Sequence, residues 1–72
     1  MIEVFKTDVK ELVFADILVD QIQRQYMGYK ANFDLEDRDK ILRVQSISGS
    51  VHADPVIILL KRFGFSAEVL PD

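Results

Sequence analysis

The stretch YKANFDLEDRDKILRVQSIS, Tyr29 to Ser48, decides the fold because it has the pattern of a β-hairpin. Apolar residues occupy every second position in its first part: Ala31, Phe33 and Leu35. This alternation predicts a half-buried strand with its apolar side chains on one face. After the charged run of residues 37–40, the alternation continues with Leu42 and Val44. The connection is too short for a crossover, so the two strands are predicted to be antiparallel.

A strand and a helix are predicted before the hairpin. The strand covers residues 2–7, and its buried side is predicted to hold two side chains: Ile2 and Val4. Phe5 then lies on the exposed side. Asp8 precedes Glu11 by three residues, which is the spacing of a capping box, so a helix is predicted to begin at about Val9 and to end at Gly28. Its core face has a helical spacing: Leu12, Ala15, Leu18, Val19, Ile22 and Tyr26.

A second helix and a last strand are predicted after the hairpin. Asp54 and Pro55 suit a helix start, and Gly64 suits the position just beyond a helix that ends at about Phe63. The core face of this helix is Val56, Leu59, Leu60 and Phe63, and the last strand contains Phe65, Ala67, Val69 and Leu70. The order βαββαβ in one domain, residues 1–72, predicts a ferredoxin-like α+β sandwich. Two helices then cover one face of a four-stranded antiparallel sheet.

Four apolar side chains do not fit the predicted core. Val13, Phe14 and Ile17 lie off the core face of the first helix, and Phe5 lies on the open face of the sheet. Contiguous exposed apolar surface marks interfaces in soluble proteins. These four residues are therefore predicted to contact an unknown partner protein or a second copy of the chain.

Composition and charge disfavour several functions. The 72 residues include no cysteine, so disulfides, thiolate metal sites and cysteine nucleophiles are excluded. The net charge of −3 argues against nucleic-acid binding, which normally depends on a basic surface. His52 is the only histidine, and no serine lies in a nucleophile motif. We therefore predict neither an enzyme nor a bound cofactor.

The N-terminal sequence and the apolar runs bear on location. The segment MIEVFKTD lacks the basic region and apolar run of a signal peptide. The longest apolar run, Val56 to Leu60, is too short to span a bilayer. These features predict a cytoplasmic protein without membrane contact.

The loop of the central hairpin contains four acidic residues: Asp34, Glu36, Asp37 and Asp39. Carboxylates attract Ca²⁺ and Mg²⁺, but an EF-hand loop counted from Asp34 would have Asp39 at its glycine position and Gln45 at its last position. Arg38 and Lys40 compensate the charge. A solvated turn is the favoured interpretation.

The segment LLKRFGFSAEV resembles the C-terminal part of heavy-metal-associated domains, which are small copper-chaperone-like modules. The resemblance is carried by Leu60, Gly64, Phe65 and Ala67, and the order of elements matches over nearly the whole chain. It implies the same fold.

The same resemblance implies a metal loop between the first strand and the first helix. The family has two cysteines there, whereas this chain has Asp8 and Glu11, or Val9 and Leu12 if the register moves by one. Cu(I) requires sulfur ligands, so copper binding is not expected. We expect a non-catalytic protein-interaction or small-ligand-binding module. The alternative is a metal site in which Asp8 and Glu11 supply oxygen ligands.

Overall fold

The computed structural model describes residues 1–71, and its helices and strands follow the predicted order. Their bounds are β1 (Ile2–Thr7), α1 (Leu12–Gln25), β2 (Tyr29–Asp34), β3 (Ile41–Ser46), α2 (Ala53–Arg62) and β4 (Ala67–Val69). The strands form one four-stranded antiparallel sheet in the order β2-β3-β1-β4. Both helices contribute to a core on one face of this sheet. The predicted ferredoxin-like α+β fold is confirmed.

The hairpin residues pair as their alternation predicts. Ala31 lies opposite Val44, and Phe33 lies opposite Leu42. Opposite residues of antiparallel strands share a face, so all four side chains lie on the helix side of the sheet. Leu42 and Val44 are fully buried. Leu35 lies beyond the end of β2 and packs against the core from the turn.

The predicted phase of β1 is wrong. Phe5 is fully buried and Ile2 is exposed, the reverse of the expectation. The reason is the pairing of Phe5 with Leu42, which places the phenylalanine ring on the helix side of the sheet. Residues 2–5 offer apolar side chains to both faces, so the alternation alone does not decide the phase. Phe5 is therefore a core residue and is removed from the predicted interface.

The predicted capping box of α1 does not form. The helix begins at Leu12 with Glu11 as its N-cap residue, and no side chain caps it. Before it, the Thr7 hydroxyl accepts a hydrogen bond from the Val9 amide at 3.2 Å. This turn directs Val9 into the core, where it is fully buried. Residues 8–11 are therefore not helical, and the helix starts three residues later than predicted.

The core face of α1 agrees with the prediction in its middle. Ala15, Leu18 and Ile22 are buried. Leu12 is 67% exposed, contrary to the prediction, because Val9 occupies the core at this end of the helix. The helix ends at Gln25 with Tyr26 as its C-cap residue, before Gly28, which was predicted to end it and which has a φ of 88°.

The start of α2 differs slightly from the prediction. Its N-cap residue is His52, without a side-chain hydrogen bond, and Asp54 lies within the first turn instead of capping the helix. Three of the four predicted core residues are buried: Val56, Leu59 and Leu60. Phe63 is 45% exposed because it lies beyond the last helical turn as the C-cap residue.

The end of α2 is closed by a Schellman motif, as Gly64 indicates in the sequence. Gly64 has a φ of 88°, and its amide donates to the Lys61 carbonyl at 3.0 Å. The Phe65 amide donates to the Leu60 carbonyl at 2.9 Å. These two bonds satisfy carbonyls at the helix end. They also turn the chain toward β4, which is shorter than predicted because Phe65 belongs to this motif.

Candidate functional site

The loop before α1 holds the predicted metal pair. Asp8 Oδ1 accepts a hydrogen bond from the Ser66 amide at 2.8 Å, which joins this loop to the segment before β4. Glu11 is the N-cap residue of α1. A shallow pocket of about 260 Å³ lies between the two segments, lined by Lys6, Thr7, Asp8, Ser66, Ala67 and Glu68. Asp8 therefore has a structural role as a tether between the two segments.

The arrangement of acidic side chains bears on the metal alternative. Within residues 1–71, no three histidine, cysteine, aspartate or glutamate side chains are grouped so that they would hold a metal ion. Asp8 and Glu11 thus lack a third protein ligand in the described part of the chain. Hard cations bind to several oxygens at once, so the loop is a weak candidate.

The acidic turn between β2 and β3 is organised by its own carboxylates. Asp34 Oδ1 accepts hydrogen bonds from the amides of Glu36 and Asp37 at 3.2 and 3.3 Å. Asp37 Oδ1 accepts another from the Asp39 amide at 2.9 Å. Such side-chain bonds to nearby amides stabilise turns. These acidic residues therefore shape the hairpin loop.

An exposed apolar surface lies on α1, as predicted. Val13 is 61% exposed, Phe14 is 45% exposed and Ile17 is 42% exposed. Residues three and four positions apart are neighbours on a helix, so these three form one surface, which we call the α1 patch. The Phe14 ring packs on the Phe65 ring with a centroid distance of 5.6 Å. This contact orients Phe14 while leaving nearly half of its surface free.

The free edge of β2 is a feature that the sequence did not identify. Strand β2 is the terminal strand of the sheet on this side and pairs only with β3. Gln23 Oε1, from α1, accepts a hydrogen bond from the outward Ala31 amide at 3.0 Å. A groove of about 290 Å³ runs between α1 and this edge, lined by Leu12, Ala15, Asp16, Val19, Ala31, Asn32, Phe33 and Leu35. Whether a strand lies at the edge of the sheet depends on the strand order, and the alternation of apolar residues does not predict that order.

The single histidine, His52, lies at the start of α2 as its N-cap residue. His52 is exposed, and its backbone amide donates to the Tyr29 hydroxyl at 2.9 Å. That hydroxyl belongs to an aromatic pair in which the Tyr26 and Tyr29 ring centroids are 5.2 Å apart. The contact joins the start of α2 to the start of β2, so its evident role is structural.

Comparison with known proteins identifies no relative: no protein-family model, no curated protein and no solved structure matches this chain. The resemblance to heavy-metal-associated domains therefore stays a prediction. In residues 1–71, no helix is long and apolar enough to cross a membrane. The α1 patch and the β2 edge are two exposed surfaces that could contact another protein.

Proposed function

We propose that this chain is a small non-catalytic interaction domain that binds a partner protein through the α1 patch. The observation that carries the proposal is the exposure of Val13, Phe14 and Ile17 side by side on one helix. Apolar surface of this kind marks protein contacts in soluble domains. The resemblance to heavy-metal-associated domains supports a small module of this fold, and the chain lacks their thiolates.

The α1 patch is not explained by the packing of the domain itself. The same helix buries Ala15, Leu18 and Ile22 on its other side, so the core contacts of α1 are already made. The exposed parts of the three side chains, which include nearly half of Phe14, add no burial to the folded monomer. Their removal from water therefore requires a second surface.

The form of the α1 patch favours a flat or helical apolar partner surface. It is convex, since it lies on the outside of a helix, and it contains one aromatic side chain held by a second ring. Aromatic side chains that are already oriented lose little conformational freedom on binding, and they often dominate interface energies. Phe14 is therefore expected to be the anchor of the contact.

Site-specific photo-crosslinking in cells of the source organism tests this proposal. A photo-reactive amino acid at position 17 is expected to give a discrete crosslinked protein. The matched control carries the same group at position 45, where exposed Gln45 lies in β3, away from the α1 patch. The crosslinked product is expected to disappear when Phe14→Glu is added. Absence of a discrete product at position 17, or the same product from position 45, would contradict the proposal.

A folding control separates loss of binding from loss of structure. Phe14→Glu removes the ring contact with Phe65 as well as adding a charge, so its effect on stability must be measured by thermal unfolding. Ile17→Glu is the companion variant, because the side chain is 42% exposed. Charges on exposed positions usually change stability little, so both variants are expected to stay folded and to lose the crosslink.

The metal alternative has less support than the interaction proposal. Asp8 already accepts the Ser66 amide, and Glu11 brings only one further carboxylate to the loop.

The proposal also includes a cytoplasmic location. Small secreted domains are usually stabilised by disulfides, and this chain has no cysteine.

A further inference from the structure

We infer that two copies of this chain pair through their β2 edges, antiparallel, with Lys30 of each copy opposite Asp34 of the other. The pairing joins two four-stranded sheets into one continuous sheet across a two-fold axis. It uses a surface different from the α1 patch and does not rest on the proposed function.

The backbone of β2 presents the groups that such pairing needs. The Gly28 carbonyl accepts the Ile47 amide of the segment that follows β3, so even-numbered residues of this strand face β3. The Ala31 amide points the other way, to Gln23. The N–H and C=O groups of a strand residue lie on the same side, so Ala31 and Phe33 direct theirs outward. A second β2 can bond to them once Gln23 releases the Ala31 amide.

The charges along β2 select one register. In antiparallel self-pairing, outward-bonding residues must lie opposite each other, so the register changes in steps of two residues. One of these registers places Lys30 opposite Asp34 of the second copy, twice by symmetry. A shift of two residues in either direction separates Lys30 from Asp34 of the second copy. A shift of four residues places Lys30 opposite Lys30, or Asp34 opposite Asp34, depending on its direction. Opposite charges favour a cross-strand pair, and like charges disfavour it.

The apolar residues agree with the same register. On the helix side of the sheet, Ala31 lies opposite Phe33 of the second copy, so a small side chain faces a large one. The groove beside the edge brings Leu12, which is 67% exposed, close to this contact. Pairing would remove this apolar surface from water.

The carboxylate of Asp34 remains accessible to a second copy. Its side chain is 40% exposed, and Oδ2 has a 3.8 Å contact with Arg43 of β3 on the same sheet face. The Oδ1 atom accepts the amides of the turn, which holds the carboxylate in place. The exposed part of the carboxylate can therefore face a lysine of the second copy.

The α1 patch stays open in this dimer. Residues 12, 16 and 19 line the groove on the β2 side of α1. At about 100° per residue, Phe14 and Ile17 lie on the opposite flank of the helix. The dimer would therefore carry two copies of the α1 patch.

Sedimentation equilibrium over a concentration series tests the charge match. The unaltered chain is expected to form dimers as concentration rises. Lys30→Glu and Asp34→Lys are each expected to weaken self-association roughly tenfold, since attraction becomes repulsion at two symmetric contacts. A mixture of the two variants is expected to recover the dimer, because each mixed contact is again between opposite charges. A chain that is monomeric throughout, or a mixture no better than its components, would overturn the inference.

A disulfide test reads the register without altering either charge. In the inferred register, Asn32 lies opposite Asn32 of the second copy at a pair without hydrogen bonds, where Cα atoms are close enough for a disulfide. The chain has no other cysteine. Asn32→Cys is expected to give a covalent dimer under mild oxidation. Lys30→Cys is expected to give far less, because position 30 lies opposite position 34, and not opposite position 30, of the second copy. Equal yields, or none from Asn32→Cys, would overturn the register. This test stands even if Asp34→Lys unfolds the turn.

Discussion

The two edges of the sheet differ in how the chain completes them. Strand β4 has only three residues. The segment that leads from α2 to β4 is fixed at two points: the Schellman motif turns the chain at Gly64, and Asp8 accepts a hydrogen bond from the Ser66 amide. Strand β2 has six residues, and one side chain, Gln23, covers one of its outward amides. The β4 edge is shortened and tethered, whereas the β2 edge keeps the length and regularity that pairing needs.

The difference shows how a small domain can leave one edge for association. A short edge strand with fixed ends offers few groups to another chain, and this protects the sheet from non-specific pairing. A longer edge strand can pair in several registers, and opposite charges at Lys30 and Asp34 favour one of them. Substitutions on the β4 side are expected to cost more stability than substitutions on the β2 side.

The largest effect is expected at Leu60, whose carbonyl accepts the Phe65 amide and whose side chain is fully buried. Leu60→Ala should lower the free energy of unfolding by about 2–5 kcal/mol through loss of burial and the cavity that remains. Chemical denaturation measures this. Ile58→Ala on the same helix is the control, because Ile58 is 51% exposed. Similar losses for both variants would show that Leu60 is not a core residue.

A smaller loss is expected at Gly64, which lies in the left-handed region with a φ of 88°. No heavy atom lies within 4 Å of an added Cβ, so the cost of Gly64→Ala is backbone strain alone. It should be about 1–2 kcal/mol. Gly49→Ala is the matched control, because Gly49 has no such φ and equally open surroundings. A neutral Gly64→Ala would mean that the turn leading to β4 is not held by this conformation.

The tether at Asp8 is expected to contribute less. Asp8→Ala removes the acceptor of the Ser66 amide and should cost about 1 kcal/mol, whereas Asp8→Asn keeps an oxygen acceptor and should cost less. Thermal unfolding compares the two variants. Equal losses would indicate that the charge of Asp8, and not its hydrogen bond, stabilises this edge.

The smallest effect on stability is expected at Gln23. Gln23→Ala returns the Ala31 amide to water, and the better helix propensity of alanine offsets part of the lost bond, so the change should be at most about 0.5 kcal/mol. Hydrogen exchange is the sensitive measurement: at concentrations low enough for the chain to be monomeric, the Ala31 amide should exchange faster. Gln21→Ala is the control on the same helix and should leave that amide unchanged. Unaltered exchange in Gln23→Ala would show that Gln23 does not protect the edge.

The sequence by itself determined the order of elements and most of the core. The alternation of Phe33, Leu42 and Val44, the helical spacing of Ala15, Leu18 and Ile22, and the glycine at position 64 are local signals, and each predicted a feature that the structure confirms. Exposure of the α1 patch followed from the same spacing. Local patterns suffice for such features because a helix or strand sets its own periodicity.

Tertiary contacts decided the features that local patterns leave open. Phe5 enters the core because β1 pairs with β3 in one register, and Asp8 bonds to Ser66, which is distant in sequence, instead of capping α1. The free edge of β2 exists because β1 lies in the interior of the sheet beside β3. In each case the partner group comes from another part of the chain. Only the assembled sheet therefore fixes which face, bond or edge results.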